Sequence, residues 1–518
     1  MDSQPPQLRF VPRSDKQWLP LLVPMVICGA SWILGGIPLL TDVGFIVLTA
    51  LCLVYLAMEF IQFPRRFGIG GMLLYGGVLI WFAHDYFTNW FLRDFNDPGC
   101  PAPPSLIARV AFFYCFFIIM MVLGLGIKRG QWLTRLVLSV PEPGSQIFYL
   151  ILIILIQMIG ISAFFFTEDS LYNSLHAAAF GVWTGETVKW TVGRTGNLNY
   201  NWGGYVAQLI QVGQIGAVFA AMFAIIISTK LWSKILCWCI WIFWTLNIFS
   251  GGRRGEMIFM AAPPIGLLFI KYQARAAMAL RGRALWSYIV AGSLGFVLLV
   301  IVQVEGKFRD LGLQNADLSQ TSLIANAGNA MFSEGLTGWR LIPSEHGFFG
   351  DRFFGEGFIR PIPEQIYLFL VGVIPRALWN DKPVDGLWEW YNSVMTGNAN
   401  GTVGTTISHG LVGSWYFHYG LGGIVEGGLI VGWLMGICER SLQESNGRPI
   451  GMFVSLCMAV WLFRCYRDFQ FNELYPLLAG MVLLTIFVRL FRPLLGSPPQ
   501  ADQPLPVAQS SYGASYGV

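Results

Sequence analysis

Apolar residues in this chain gather in long unbroken runs, not at the 3.6-residue or 2-residue spacing of a helix or strand with one wet face. The runs cover roughly 19–40, 43–62, 69–91, 105–127, 146–166, 203–228, 231–250, 255–271, 284–304, 409–437, 450–466 and 474–491. Each is near the length a helix needs to cross about 30 Å of hydrocarbon at 1.5 Å per residue. Between them lie two long polar-punctuated stretches, 167–202 and 305–408, the first rich in Gly, Asn and Trp and the second in Trp, Phe, Gly and Pro. Loops of such length are usually functional, and this composition is not that of a disordered segment. Within the second stretch, 319–336 and 363–379 are expected to be helical. The tail from Ser497 is low-complexity and expected to be disordered. The pattern predicts an all-α polytopic membrane protein of about 12 transmembrane helices. Helices 1–9 fall within 1–304, the large loop at 305–408 precedes the tenth helix, helices 10–12 fall within 409–496, and the tail covers 497–518.

Composition agrees. The chain has 518 residues, 55% of them hydrophobic and 12% charged, against about 25% charged in a soluble domain; its mean hydropathy is +0.56. The net charge of +4 is too small to imply nucleic acid. The nine cysteines form no metal-ligand spacing, and Cys28, Cys52, Cys115, Cys237, Cys239 and Cys457 lie in apolar runs, where thiols act as small hydrophobes. No metal or cofactor is expected. The run 19–40 is too long for a cleaved signal and reads as a retained anchor.

Basic residues set the expected orientation. One side collects Arg9, Arg13, Lys16, Arg65, Arg66, Lys128, Arg129, Arg135, Lys230, Lys234, Lys271, Arg275, Arg281, Arg283, Arg440, Arg448, Arg489 and Arg492. The short loops of the other side hold Arg93, Lys189, Arg194, Arg253, Arg254, Arg464 and Arg467, with Arg109 just inside a helix. Both termini are therefore expected in the cytoplasm, and both long loops outside it.

Cations that persist on the outward face are the functional candidates, because charge in a membrane segment is costly. The turn Ser250-Gly251-Gly252-Arg253-Arg254-Gly255-Glu256 pairs two arginines with glycines that admit a close ligand and with a following helix N-terminus that favours anions. The stretch Ile374-Pro375-Arg376-Ala377-Leu378-Trp379-Asn380-Asp381-Lys382-Pro383 holds Arg376 and Lys382 between prolines. The run Thr405-Thr406-Ile407-Ser408-His409-Gly410 leads into a helix through Tyr416, His418, Gly420, Gly422 and Gly423; a histidine there suits proton abstraction from a hydroxyl. In Arg464-Cys465-Tyr466-Arg467-Asp468-Phe469, Arg464 and Arg467 share a helix face, and Asp468 orients them or serves as a base. Guanidinium forks match phosphate geometry, so the set reads as a phosphate or pyrophosphate site.

These motifs resemble the oligosaccharide repeat-unit polymerases, the Wzy-type O-antigen and exopolysaccharide polymerases, over about residues 200–490. The carriers are the Gly-Arg turn at 250–255, the Ile-Pro-Arg-x-Leu-Trp-x-x-Lys-Pro stretch at 374–383, and the His409 to Gly-Leu-Gly-Gly run, whose spacing is similar to that of the related O-antigen ligases. Those ligases have Asn after the histidine, where this chain has Gly410. The resemblance implies a GT-C-like, metal-independent glycosyltransferase in the bacterial cytoplasmic membrane, joining undecaprenyl-pyrophosphate-linked repeat units at the outer face. It implies lipid-linked oligosaccharides as substrates, with a flippase and a chain-length regulator as partners. On that reading Arg253, Arg254 and Arg376 hold phosphates, assisted by Lys382, Arg464 and Arg467. His409 is the first choice of base and Asp468 the second, while loop aromatics (Trp183, Trp190, Trp202, Trp339, Trp388, Trp390, Tyr391) stack on sugars. A ligase acting on another acceptor, and a flippase for the same lipid, are the competing expectations.

Overall fold

The computed structural model describes residues 17–62, 68–83, 86–87, 96–97, 100–101, 104–127, 131–139, 142, 145–163, 176, 203–250, 254–279, 367, 369–371, 374, 378–379, 410–445, 448–466, 469 and 474–491. These are almost entirely helical. In chain order they form α1 (Leu22–Ile33), α2 (Pro38–Gln62), α3 (Ile69–Gly77, continued by a π-helix Val78–Ala83), α4 (Pro104–Gly126), α5 (Gln131–Leu138), α6 (Gln146–Ser162), α7 (Gly203–Ile226), α8 (Leu231–Ser250), α9 (Arg254–Ala279), α10 (Leu411–Glu444), α11 (Pro449–Arg464) and α12 (Tyr475–Phe491). A two-residue antiparallel ladder pairs Asn96 with Pro101 and Asp97 with Cys100.

Five of the helices are long and apolar enough to cross a membrane: Pro38–Phe60, Pro104–Gly126, Leu209–Ile226, Leu231–Ile248 and Tyr419–Glu444. Shorter apolar helices stand beside them, at Leu22–Ile33, Ile69–Ala83, Gln146–Ser162, Glu256–Leu268 and Pro449–Arg464. Large hydrophobic side chains also point outward, among them Val26, Leu39, Ile46, Val54, Met158, Leu231 and Val482. This is the surface of a membrane protein. The expected run 284–304, nearly all of the 305–408 loop and the tail lie outside the described residues.

Two departures from the expected helix boundaries bear on how the bundle is built. The run 19–40 is not one span: α1 ends at Ile33, and Gly35 and Gly36 follow with φ of 86° and 88°. Twelve residues rise only about 18 Å, and further helical turns flank them, with Leu21 N–H bonded to the Trp18 carbonyl and Leu34 N–H to that of Ala30. The turn is closed by Ser31, whose Oγ lies 2.7 Å from the Ile37 carbonyl and 2.8 Å from Thr41 Oγ1. Gly36 must be glycine for a second reason, since a Cβ there would fall on the Pro104–Ser105 backbone at the start of α4.

The second departure is α10. Gly420 breaks it with φ 62° and ψ −145°, a conformation open essentially to glycine alone. In an unbroken helix, residues eight apart lie about 12 Å from each other. Here Gly423 presses on the Trp415 backbone and Gly427 on the Trp415 ring, so residues 411–419 fold back along the first turns of the long arm. The expected tenth span is a short re-entrant arm followed by a spanning arm that continues to Glu444.

Lipid removes the hydrophobic drive between helices, so close backbone contact decides which ones pair. α10 carries Gly428, Gly432 and Gly436 at four-residue spacing, and these meet the Phe117, Met121 and Leu125 carbonyls of α4 in step. The two helices run parallel, backbone against backbone, with Gly124 of α4 completing the seam against Leu429. Around this pair α1, α2 and α3 pack on one side, while α6, α8, α9 and α12 gather about α7, and α11 joins the two groups.

The helix ends that alternating crossings would put on one side meet one another. Arg440 Nη2 donates to the Ile127 carbonyl at 2.9 Å, Gly70 N–H to Glu439 Oε2 at 3.1 Å and Thr229 Oγ1 to Gln146 Oε1 at 3.2 Å. Glu142, in the connection between α5 and α6, accepts from the Ile450 N–H at 3.0 Å and the Gly451 N–H at 3.2 Å, capping the first turn of α11. Tyr149 Oη adds a third bond to Glu142 at 2.7 Å. Burial pushes the Glu142 carboxyl above its ordinary value, opposed by the tyrosine, by these backbone N–H groups and by Arg448.

Candidate functional site

The third and fourth sequence motifs meet. Leu411 N–H donates to the Tyr466 carbonyl at 3.0 Å, tying the start of the re-entrant arm to the end of α11. Tyr466 is fully buried, its ring covers Gly77, and its hydroxyl donates to the Leu74 carbonyl of α3 at 2.9 Å. Aromatic rings fill the junction: Trp415 lies 5.0 Å from Phe469, Trp461 6.0 Å from Phe469, Phe113 5.9 Å from Tyr416 and Phe82 5.4 Å from Tyr466. Arg464, half-buried, is the last residue of α11.

The first motif enters the structure at Arg254, the first residue of α9. Two residues on, Glu256 accepts from Gln214 Nε2 of α7 at 3.4 Å. A polar seam continues inward: Gln157 of α6 donates through Nε2 to the Gly213 carbonyl at 3.1 Å and accepts from the Trp244 indole of α8. Each glutamine is buried, and polar groups inside a membrane bundle survive when paired in this way. Pro264 explains another bond. Lacking an N–H, it leaves the Met260 carbonyl without its helical partner, and the Trp241 indole of α8 donates there at 3.0 Å. α9 in turn lies on α11, with Gly266 against Leu456.

Of the sequence-derived site, Arg464 and the helix start at Arg254 are therefore placed. Arg253, Arg376, Lys382, His409, Arg467 and Asp468, and the Arg254 side chain, lie outside the described residues, as do the loop tryptophans. Gln157, Gln214 and Glu426, polar residues within largely apolar runs, are not among the residues the sequence singles out, although Glu256 stands within the arginine turn. Arg109, which it placed just inside a helix, stacks on Trp32 at 5.4 Å and Phe113 at 5.6 Å. Its guanidinium thereby gains aromatic faces.

Among the described residues no cluster of His, Cys, Asp or Glu is arranged to hold a metal. A crevice between α6, α7, α11 and α12 is walled by Ile156, Val212, Phe219, Phe453, Leu477 and Met481, with Gly216 and Gly480 opening it. Its lining carries no polar side chain, and its chemistry suits a hydrocarbon chain. Comparison with known protein families, with curated proteins and with solved structures finds no match to this chain.

Proposed function

We propose that this membrane protein is a polysaccharide polymerase: a metal-independent, GT-C-like glycosyltransferase of about 12 spans with both termini in the cytoplasm. It moves a growing glycan from its undecaprenyl pyrophosphate onto a hydroxyl of the incoming lipid-linked repeat, at the outer face of the bacterial cytoplasmic membrane. The observation that carries the reading is the Leu411–Tyr466 backbone bond. It ties the arm that begins at Leu411 to the end of α11, whose last residue is Arg464, and so supports a site that draws on both the third and the fourth sequence motif.

The chemistry needs three provisions. The pyrophosphate gathers charge as it departs, and Arg253, Arg254 and Arg376, with Lys382, Arg464 and Arg467, supply guanidinium and ammonium donors for it. The attacking hydroxyl must lose a proton to His409, Asp468 or another carboxylate. The lipid must enter from the side, and the apolar lining of the crevice between α6, α7, α11 and α12 suits contact with its chain. Replacing Arg254 with alanine should abolish long-chain polymer in a complementation assay at normal protein level; unchanged polymer removes that residue from the site. Extension of purified lipid-linked repeats by the isolated protein separates a polymerase from a flippase, and a product that stays on its lipid carrier separates it from a ligase.

A further inference from the structure

Two polar groups, one on each side of the break at Gly420, have no hydrogen-bond partner among the described residues. Trp415 is 4% exposed, and its indole Nε1 is buried with no hydrogen-bond acceptor among the described residues. The Trp241 and Trp244 indoles, by contrast, each have one. Glu426 stands within the candidate span Tyr419–Glu444, where an ionisable group is costly. It is half-buried, and among the described residues no side chain hydrogen-bonds or ion-pairs with it. The two are neighbours: the Trp415 ring lies on Gly427, the residue after Glu426. A donor with no acceptor and a carboxylate with no donor among the described residues thus lie one residue apart at the contact of the Trp415 ring with Gly427, on opposite sides of the break at Gly420.

A phosphate is repelled by the carboxylate, and a cation gains nothing from the indole N–H. A hydroxyl satisfies both groups, accepting from Trp415 Nε1 and donating to Glu426. We propose that Trp415 and Glu426 hold the attacking sugar hydroxyl, and that Glu426 rather than His409 or Asp468 takes its proton; this rests on the polymerase reading. In the step, the acceptor O–H proton passes to a Glu426 oxygen while the acceptor oxygen bonds to the anomeric carbon of the donor glycan. The bond from that carbon to the phosphate oxygen breaks, and its electron pair leaves with undecaprenyl pyrophosphate.

The test uses the full-length protein in micelles, with lipid-linked repeats as donor, a water-soluble single repeat as acceptor, and undecaprenyl pyrophosphate binding measured separately. Glu426→Gln keeps the shape and removes the base; extension should slow about 100-fold or more while undecaprenyl pyrophosphate binds as in the wild type. Trp415→Phe keeps the ring on Gly427 and removes the donor; half-saturation by the acceptor should rise about 10-fold, as loss of one hydrogen bond to a ligand predicts, with that for the donor unchanged. Wild-type extension by Glu426→Gln, loss of undecaprenyl pyrophosphate binding in that variant, or unchanged acceptor saturation in Trp415→Phe each overturns the proposal and leaves the polymerase reading standing. A wild-type protein that extends nothing sinks that reading, and this one with it.

Discussion

A methyl group placed at Gly432 tests whether the α4–α10 seam holds the bundle together. The Cβ of an alanine there would fall on the Met121 carbonyl oxygen, 2.7 Å from its carbon and 2.8 Å from the Met121 Cα. Carbon atoms settle about 3.5–4.0 Å apart, so the helices must separate by about 1 Å, and a gap of that size forfeits a quarter to a half of each dispersion contact along the seam. Backbone offers no rotamer to relieve the clash, which puts Gly432→Ala near the upper end of the 1–3 kcal/mol expected of overpacking, about 3 kcal/mol. Gly436→Ala, whose Cβ lies 3.0 Å from the Leu125 carbonyl oxygen, needs a shift of a few tenths of an ångström and should cost about 1 kcal/mol or less. Gly76→Ala and Gly480→Ala meet nothing within 4 Å and should be neutral or slightly stabilising, since alanine is the better helix former. Denaturant unfolding in mixed micelles, followed by tryptophan fluorescence, ranks the four. Gly432→Ala as stable as Gly480→Ala refutes the packing argument.

Further outcomes follow from single contacts. Gly420→Ala forces an L-residue into φ 62°, ψ −145° at a cost of about 1–3 kcal/mol; if the re-entrant arm serves chemistry, extension activity falls further than the melting temperature suggests. Tyr466→Phe removes the hydroxyl that reaches the Leu74 carbonyl and should cost about 1 kcal/mol; no measurable loss argues against that bond. Glu142 has its carboxyl raised by burial, so folding favours its proton, and the stability this confers is present at low pH and is lost as pH rises through the raised value. Glu142→Gln does not titrate, so its stability relative to wild type should improve from pH 4 to pH 8; a constant difference across melts in that range contradicts the assignment.

The spanning helices were legible because a 20-residue apolar run has few other fates: 231–250 and 105–127 reappear as α8 and α4 within a residue. The two broken runs were not, for one reason. Gly35-Gly36 and Gly420 sit inside runs that are apolar overall, and a hydropathy window does not distinguish a glycine that packs a helix from one that ends it. Gly428, Gly432 and Gly436 illustrate the same ambiguity, since their spacing carries meaning only once α4 supplies the facing carbonyls. In the site, outward arginines were visible as breaches of the positive-inside pattern. Glu426 breaks a different rule, charge within a span, and was hidden by the attention given to cations. Glu142 was unreadable, because its partners on α11 lie 308 residues away.

That separation has a consequence for how the protein is made. At about 5–20 residues per second, the ribosome takes about 15–60 s to travel from Glu142 to the N–H groups it caps. Throughout that interval α4 waits in lipid with its carbonyl groove uncovered, and the carboxylate faces water. The chain up to residue 410 is consequently an assembly intermediate with an open seam, and a translation stop before Leu411 should yield a product that quality-control proteases recognise, however faithfully each earlier helix has been inserted.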